Sequence, residues 1–358
     1  MSQDNPRRGA KRPTQSDVAR RANVSRAAVS IVLRGGNGGS ISISQETRKR
    51  ILDAARELGY TPNLAAQALA GGSNRLIGVF TYERFFPYEA DNSYYPYLLG
   101  VERQASEEDY NILLFTRRRG GVRPSVYRDG ANVLSLVDGS ILLGDSPDRE
   151  ELRRIADEGR PFVFIGRREV EGYSIDWVSN DNFQAGHDAT RHLIQYGHKR
   201  MGFVVGEPLR RESDVDRYAG CEAAVAEVGG TSVVRLSTSL LKHRDELVAA
   251  IRAAGITALI FPEYSGMKKC LKVLGSSVRI PRDLSVLALN DGRIAQSDDG
   301  PLKPTMVRVH RQQVGEAAVK LLVAKLNGSI SGPRQIRIAG SFVKGETTGP
   351  APERPFGE

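Results

Sequence analysis

From Leu76 to Ile338 the sequence alternates short, nearly unbroken apolar runs with longer stretches in which apolar residues recur at helical spacing. No other feature constrains the fold as strongly. An apolar run without polar alternation is the mark of a strand buried on both faces, and such strands belong to parallel sheets whose crossovers are helices. The strand candidates are Leu76–Phe80, Asn111–Thr116, Gly139–Leu143, Pro161–Gly166, Ile175–Ser179, Met201–Val205, Ser232–Leu236, Ala258–Pro262, Ser285–Leu289 and Gln335–Ile338. Helix candidates lie between them, at Tyr97–Asp109, Asp148–Glu158, Asn182–Tyr196, Arg217–Val228, Arg244–Ala254, Ser265–Leu274 and Gln312–Leu326. This is too many strands for one tidy sheet, so the pattern predicts an α/β region of two doubly wound lobes with a cleft between them.

The first sixth of the chain has a different texture. Gln15–Ala22, Arg26–Leu33 and Ser44–Leu58 each place apolar residues on one helical face, with Ser44 as a plausible N-cap and Gly59 just past the end. Two short helices that cross steeply need a small residue where they touch, a turn residue that tolerates positive φ, and an apolar anchor in the second helix. Ala19, Asn23 and Val29 meet those needs in turn. Residues 1–60 hold 12 Lys and Arg against 5 Asp and Glu, which is seven of the chain's nine excess positive charges. A helix-turn-helix in a concentrated basic segment points to a polyanionic partner, double-stranded DNA. Residues 1–13 read as a disordered basic arm and residues 14–61 as an all-α DNA-binding domain.

The two cysteines, Cys221 and Cys270, lack metal-ligand or disulfide-framework spacing, and the five histidines are scattered, so no cofactor or metal is expected. Met1–Pro13 has no apolar core of a secretory signal, and no run is long enough to span a membrane. A reducing cytoplasm is the expected location. There is no GxxxxGK[ST] loop, no GxSxG elbow and no clustered acid–base set, which argues against an enzyme. A solute-binding protein without a regulatory role, kept in the cytoplasm, is the alternative; the lobes suit it, but a solute-binding protein needs a secretion signal, and Met1–Pro13 is the wrong kind of segment.

Several ordered blocks carry a resemblance: DVARRANVSRAAVS, SQETRKRILDAARELGYTPNLAAQALAGG, LIGV at Leu76, DGSILLG at Asp138, NFQAGHDATRHLIQYGHKRMGFVVG at Asn182, DRYAGCEAAV at Asp216, IPRDLSVLALND at Ile280 and KGETTG at Lys344. Over residues 14 to about 348 the chain resembles the lactose/galactose-repressor family of bacterial transcriptional regulators. The resemblance implies a periplasmic-binding-protein-like domain behind the helix-turn-helix, and a repressor that binds a near-palindromic operator as a homodimer and is switched by a sugar-like small molecule. By position, Arg26 and Ala27 start the recognition helix that reads base edges, and Thr14, Ser25 and Ser30 match phosphate-contacting positions. Ile31 stands where the family usually has Arg, and the Gly35–Ser42 loop is longer than usual. Residues 62–74 match the hinge, in which Asn63, Ala66 and Leu69 meet the minor groove and Leu69 is the wedge.

Ligands of doubly wound sheets sit beyond the carboxyl ends of the strands. By that rule, and by position in the family, the effector-binding candidates are Tyr82, Arg167, Arg217, Glu263, Asn290 and Asp291. The expected two-lobed domain runs over 75–348, with a first lobe of about 75–179 and 293–328 and a second of about 180–292 and 329–348. Residues 349–358 are expected to be a disordered tail. That tail lacks leucine heptads, so a coiled-coil tetramer is not expected.

Overall fold

The computed structural model describes residues 13–33, 43–61, 73–83, 94–116, 124–145, 147–291 and 302–353. The basic arm up to residue 12, the Gly35–Ser42 loop, the hinge with Asn63, Ala66 and Leu69, and residues 84–93 lie outside them. The chain divides into two compact units, Met1–Asn74 and Arg75–Glu358.

The first unit holds three helices: α1 (Gln15–Ala22), α2 (Arg26–Leu33) and α3 (Gln45–Glu57). Thr14 starts α1 with a capping box, in which its hydroxyl accepts the Asp17 N–H while Asp17 accepts the Thr14 N–H. Asn23 ends α1 in the left-handed conformation at φ 52°, the geometry that asparagine tolerates better than most residues. Ser25 caps α2 by accepting the Ala28 N–H at 3.1 Å, and Ser44 caps α3. Val18, Ala19, Ala22, Val29, Val32, Ile51, Ala54 and Ala55 form the core. Leu52 is exposed, and Ala54 takes the inward place beside Ile51. An Arg21–Glu57 ion pair ties α1 to α3.

The second unit contains two six-stranded sheets. In chain order its elements are β1 (Leu76–Thr81), α4 (Tyr95–Glu107), β2 (Asn111–Phe115), a short hairpin of β3 (Tyr127–Arg128) and β4 (Ala131–Asn132), β5 (Gly139–Leu143), α5 (Arg149–Asp157), β6 (Phe162–Ile165) and β7 (Trp177–Asn180). There follow α6 (Asn182–Gln195), β8 (Arg200–Val205), α7 (Glu212–Ala226), β9 (Ser232–Ser237), α8 (Arg244–Ala253), β10 (Ala258–Phe261), α9 (Tyr264–Leu274) and β11 (Ser285–Ala288). The last are β12 (Thr305–Arg308), α10 (Arg311–Leu326), β13 (Gln335–Ile338) and β14 (Ser341–Val343). The first sheet runs β13-β7-β6-β5-β1-β2, all parallel. The second runs β14-β12-β11-β10-β8-β9, with only β14 antiparallel. Each lobe thus reverses its strand order beside its first strand, which makes β1/β5 and β8/β10 the two switch points.

The lobes exchange chain segments at places other than those expected. β12 pairs with β11, Leu287 opposite Thr305, so residues 305–308 belong to the second lobe. β13 pairs with β7, Gln335 opposite Trp177, so residues 335–338 belong to the first. The pattern identifies Gln335–Ile338 as a strand but carries no information about its partner, and it passes over β12, where Met306 and Val307 are the only consecutive apolar residues. The expected tail is also corrected in part. Gly349 is buried and its carbonyl accepts from His198 Nε2 at 3.1 Å, while the Ala351 N–H bonds to Tyr196 O at 2.8 Å.

Within each lobe one helix pair crosses at glycine. A Cβ on Gly186 of α6 would stand 2.0 Å from the Arg217 carbonyl of α7, and one on Gly315 of α10 would stand 2.2 Å from the Tyr97 carbonyl of α4. Backbone-to-backbone approach of this kind is open only to glycine. It sets the depth of Arg217 and Tyr97, both of which reach the cleft.

Candidate functional sites in the two units

In the first unit the caps leave the start of α2 open. Ser25, Arg26 and Ala27 are exposed, Ser30 and Ile31 are half-buried, and Val29 and Val32 turn inward. Thr14 is exposed, but its hydroxyl is engaged with the Asp17 carboxylate at 2.7 Å. An exposed helix N-terminus carrying an arginine can approach phosphates through its free N–H groups and base edges through its guanidinium.

In the second unit a cavity of about 300 Å³ lies between the carboxyl ends of the two sheets. Its walls come from loops that follow strands. Gly144 and Asp145 follow β5, and the segment Ile165–Arg168 ends and follows β6. Arg211, Ser213 and Arg217 follow β8, Glu263 follows β10, Asn290 follows β11 and Arg311 follows β12. Tyr94 and Tyr97 close one side.

Four of the six expected residues, Arg167, Arg217, Glu263 and Asn290, line this cavity. Asp291 stands behind it and accepts from Arg311 Nη1 at 2.8 Å. Tyr82 does not reach it. The Tyr82 ring is 3% exposed and packs beside Phe80 and Phe164, and its hydroxyl donates to Glu151 at 2.7 Å beneath the first sheet. The strand-end rule selected Tyr82 by position, but its side chain points to the opposite face. Arg168, Arg211, Arg311, Asn180, Tyr94 and Tyr97 went unselected in the sequence. Arg168 and Arg311 follow strand ends as Arg167 does, so the same rule, applied one residue further and to β12, would have found them.

The cavity is dense with neutralised charge. Arg217 Nη1 donates to Asp214 at 3.0 Å and Glu263 at 3.2 Å. Both acids are in its own lobe, so Arg217 does not bridge the lobes. Arg167 Nε donates to Asp216 at 2.9 Å, and Arg211 Nε donates to Asp214 at 2.9 Å. Arg311 also donates to Asn290. Asn180 Nδ2 donates to the Tyr97 hydroxyl at 2.9 Å. Burial pushes the phenols of Tyr94 and Tyr97 above their ordinary range, so both remain protonated donors near neutrality. Among the described residues, Arg168 Nε, Arg217 Nε and Asn180 Oδ1 are buried on this wall without a hydrogen-bond partner. Unsatisfied buried polar atoms are uncommon, and their concentration here is what a site for a polar ligand or ordered water produces.

Cys221 and Cys270 are buried in the second lobe, with thiols pushed up to about 12 by burial. No group of three or more His, Cys, Asp or Glu that could hold a metal occurs among the described residues, and no helix there is long and apolar enough to cross a membrane.

Comparison with known proteins finds a family match in each unit. Residues 14–63 match the profile of bacterial regulatory proteins of the lacI family, and residues 190–348 match that of a periplasmic binding protein-like domain. The HTH-type transcriptional regulator CelR of Thermobifida fusca is 29% identical, with 90% of this chain and 94% of that protein covered. The regulator MalR of Streptococcus pneumoniae serotype 4 is 33% identical over 59% of this chain and 62% of its own length. The structure of a CelR–cellobiose complex superposes with a TM-score of 0.60 at 26% identity, covering 94% of this chain and all of that one. The lac repressor dimer bound to operator and an anti-inducer shares the fold, with a TM-score of 0.70 at 21% identity over 95% of this chain and all of that one. These relatives are transcriptional regulators rather than enzymes. With a lacI-family match over its N-terminal helices, a periplasmic binding protein-like match in its second unit, and relatives that span nearly its whole length, the chain is similar throughout to bacterial transcriptional regulators of the lacI family.

Proposed function

We propose that this regulator is a repressor that binds a near-palindromic operator as a homodimer and is switched by a neutral sugar held in the inter-lobe cleft. Arg26 and Ala27 read base edges, Thr14, Ser25 and Ser30 set register on phosphates, and the hinge residues Asn63, Ala66 and Leu69 enter the minor groove. Two-fold protein symmetry calls for matching half-sites in the DNA.

The observation that carries the ligand class is the pairing on the cleft wall. Arg167, Arg211, Arg217 and Arg311 each donate to a carboxylate, and Arg168 lies 3.5 Å from Glu212. A phosphate or carboxylate ligand would meet little net positive charge, whereas fixed guanidinium donors and carboxylate acceptors match the dual character of sugar hydroxyls. The volume sits at the small end of the ~300–1,000 Å³ range of small-molecule sites, which suits one or two sugar rings. The CelR complex with cellobiose supplies a precedent among relatives.

The test is selection of bound duplexes from a random pool, followed by operator titrations with cellobiose, maltose and their phosphorylated forms. An enriched near-palindrome, with operator affinity shifted by a neutral sugar only, is the expected result. A shift produced only by a phosphorylated sugar would reject the neutral-ligand reading. Coupling is reciprocal, so the operator must change sugar affinity by the same factor.

A further inference from the structure

We propose that Glu212 is a positioning residue that latches the two lobes across the cleft, by holding Arg149 and Arg168 of the first lobe from the start of α7 in the second. The proposal does not depend on which molecule occupies the cleft.

Glu212 is 7% exposed. One carboxylate oxygen accepts from Arg149 Nη2 at 2.6 Å, and the other lies 3.5 Å from Arg168 Nη1. Both arginines are fixed within their own lobe: Arg149 donates to the Glu169 carbonyl, and Arg168 donates to the carbonyls of Gly144 and Arg167 while its guanidinium covers the Phe164 ring. The carboxylate therefore closes onto a prepared pair of cations. Further pairs cross the same gap: Arg167 with Asp216 at 2.9 Å and Arg211 with Asp145 at 3.4 Å. Arg311 with Asp291 at 2.8 Å crosses beside the strand β12 exchange.

The centre of this arrangement is Glu212, because it alone among these acids is nearly buried and engages two first-lobe cations. Arg168 is 9% exposed, and burial lowers its pKa. Moving the lobes apart would strip that buried cation of its nearest carboxylate. A buried charge that loses its partner is costly, so the ion pairs favour closure before any ligand arrives. Arg149 and Arg211 are about half exposed, so dissolved salt reaches part of the latch. Closure is therefore sensitive to ionic strength even when the cleft ligand is uncharged.

The experiment uses the full chain with nitroxide labels at Glu171→Cys and Asp245→Cys. Both positions are exposed, one in each lobe, and the native thiols are buried. An excess of unlabelled chain ensures that pulsed dipolar spectroscopy reads only distances within one chain. The expected result without added ligand is a narrow distribution at 0.1 M NaCl that broadens to longer distance at 1 M. Glu212→Gln should give the long component already at 0.1 M, with an open-to-closed ratio raised about tenfold, the order expected when a buried carboxylate loses its charge beside one buried and one half-exposed cation. Arg149→Gln should move in the same direction, and it carries the test if Glu212→Gln does not fold. Glu227→Gln removes an ion pair internal to the second lobe, with Arg191 at 2.8 Å, and should match the parent. Equal distributions for the parent, Glu212→Gln and Arg149→Gln at 0.1 M would overturn the proposal. So would a parent distribution that does not change with salt.

Discussion

His198 offers a quantitative test of how the second lobe holds its C-terminal segment. The ring is 1% exposed, with Nδ1 at 2.8 Å from the Thr257 hydroxyl and Nε2 at 3.1 Å from both the Ser285 hydroxyl and the Gly349 carbonyl. A carbonyl can only accept, so Nε2 carries the proton and neutral Nδ1 accepts from Thr257. Burial depresses the imidazole pKa to about 4, against an ordinary value near 6.5. The folded state thus resists a proton that the unfolded state accepts. This contribution is fully present above pH ~6.5, declines as pH falls, and is exhausted below pH ~4. Between pH 7.5 and 5 the loss is about 2 kcal/mol, obtained by integrating the linkage relation between those two pKa values. His198→Gln should be less stable than the parent at pH 7.5, because it loses bonds to the C-terminal segment. Its stability should also fall by about 2 kcal/mol less on acidification to pH 5. Urea unfolding followed by circular dichroism at both pH values measures this difference, and the His198 ring resonance should show no midpoint above pH 5. A midpoint near 6.5, or equal acid slopes for parent and variant, would refute the reasoning.

Four further outcomes are expected. Arg26→Ala should cost about 1–3 kcal/mol of operator affinity and relax preference at one base pair, whereas a uniform loss across sequences would restrict Arg26 to phosphate contact. Leu69→Ala should weaken operator binding and reduce bending in a phased-bend assay; unchanged bending would remove the wedge. Val29→Ala, at a fully buried position in a small core, should lower the stability of the first unit by about 2 kcal/mol in thermal denaturation, with little effect on the second. Gly186→Ala should cost at least ~1–3 kcal/mol and displace Arg217, read as a Tm loss together with weaker sugar binding. Gly229→Ala, whose added methyl meets nothing within 4 Å, serves as the neutral control.

The helix-turn-helix was legible because short-range chemistry determines it. Thr14, Asn23, Ser25 and Ser44 cap or terminate helices within their own neighbourhoods, and the apolar spacing of α1 and α2 follows directly. The apolar runs likewise revealed the buried parallel strands. What the sequence concealed is non-local. β12 has only Met306 and Val307 as consecutive apolar residues and β14 is three residues long, and their sheet membership depends on pairing with β11 and with each other. The start of α7 at Glu212 rather than Arg217 was hidden because Glu212, Asp214 and Arg217 are charged and yet buried, so hydrophobic spacing passed over them. Tyr82 shows the limit of reasoning by position, since following a strand fixes a residue's place but not the face to which its side chain turns.

The exchange of segments between lobes also orders the events of synthesis. The first sheet awaits β13, and its core awaits Val314, Ala318, Val319, Leu321 and Leu322 of α10, all of which leave the ribosome after most of the second lobe. The second sheet in turn awaits β14 and the Gly349 segment that His198 holds. The three N-terminal helices need nothing downstream for their core and are free to fold first. A nascent chain therefore carries a finished reading head while both halves of its switch remain open, and the last forty residues complete the two lobes almost together.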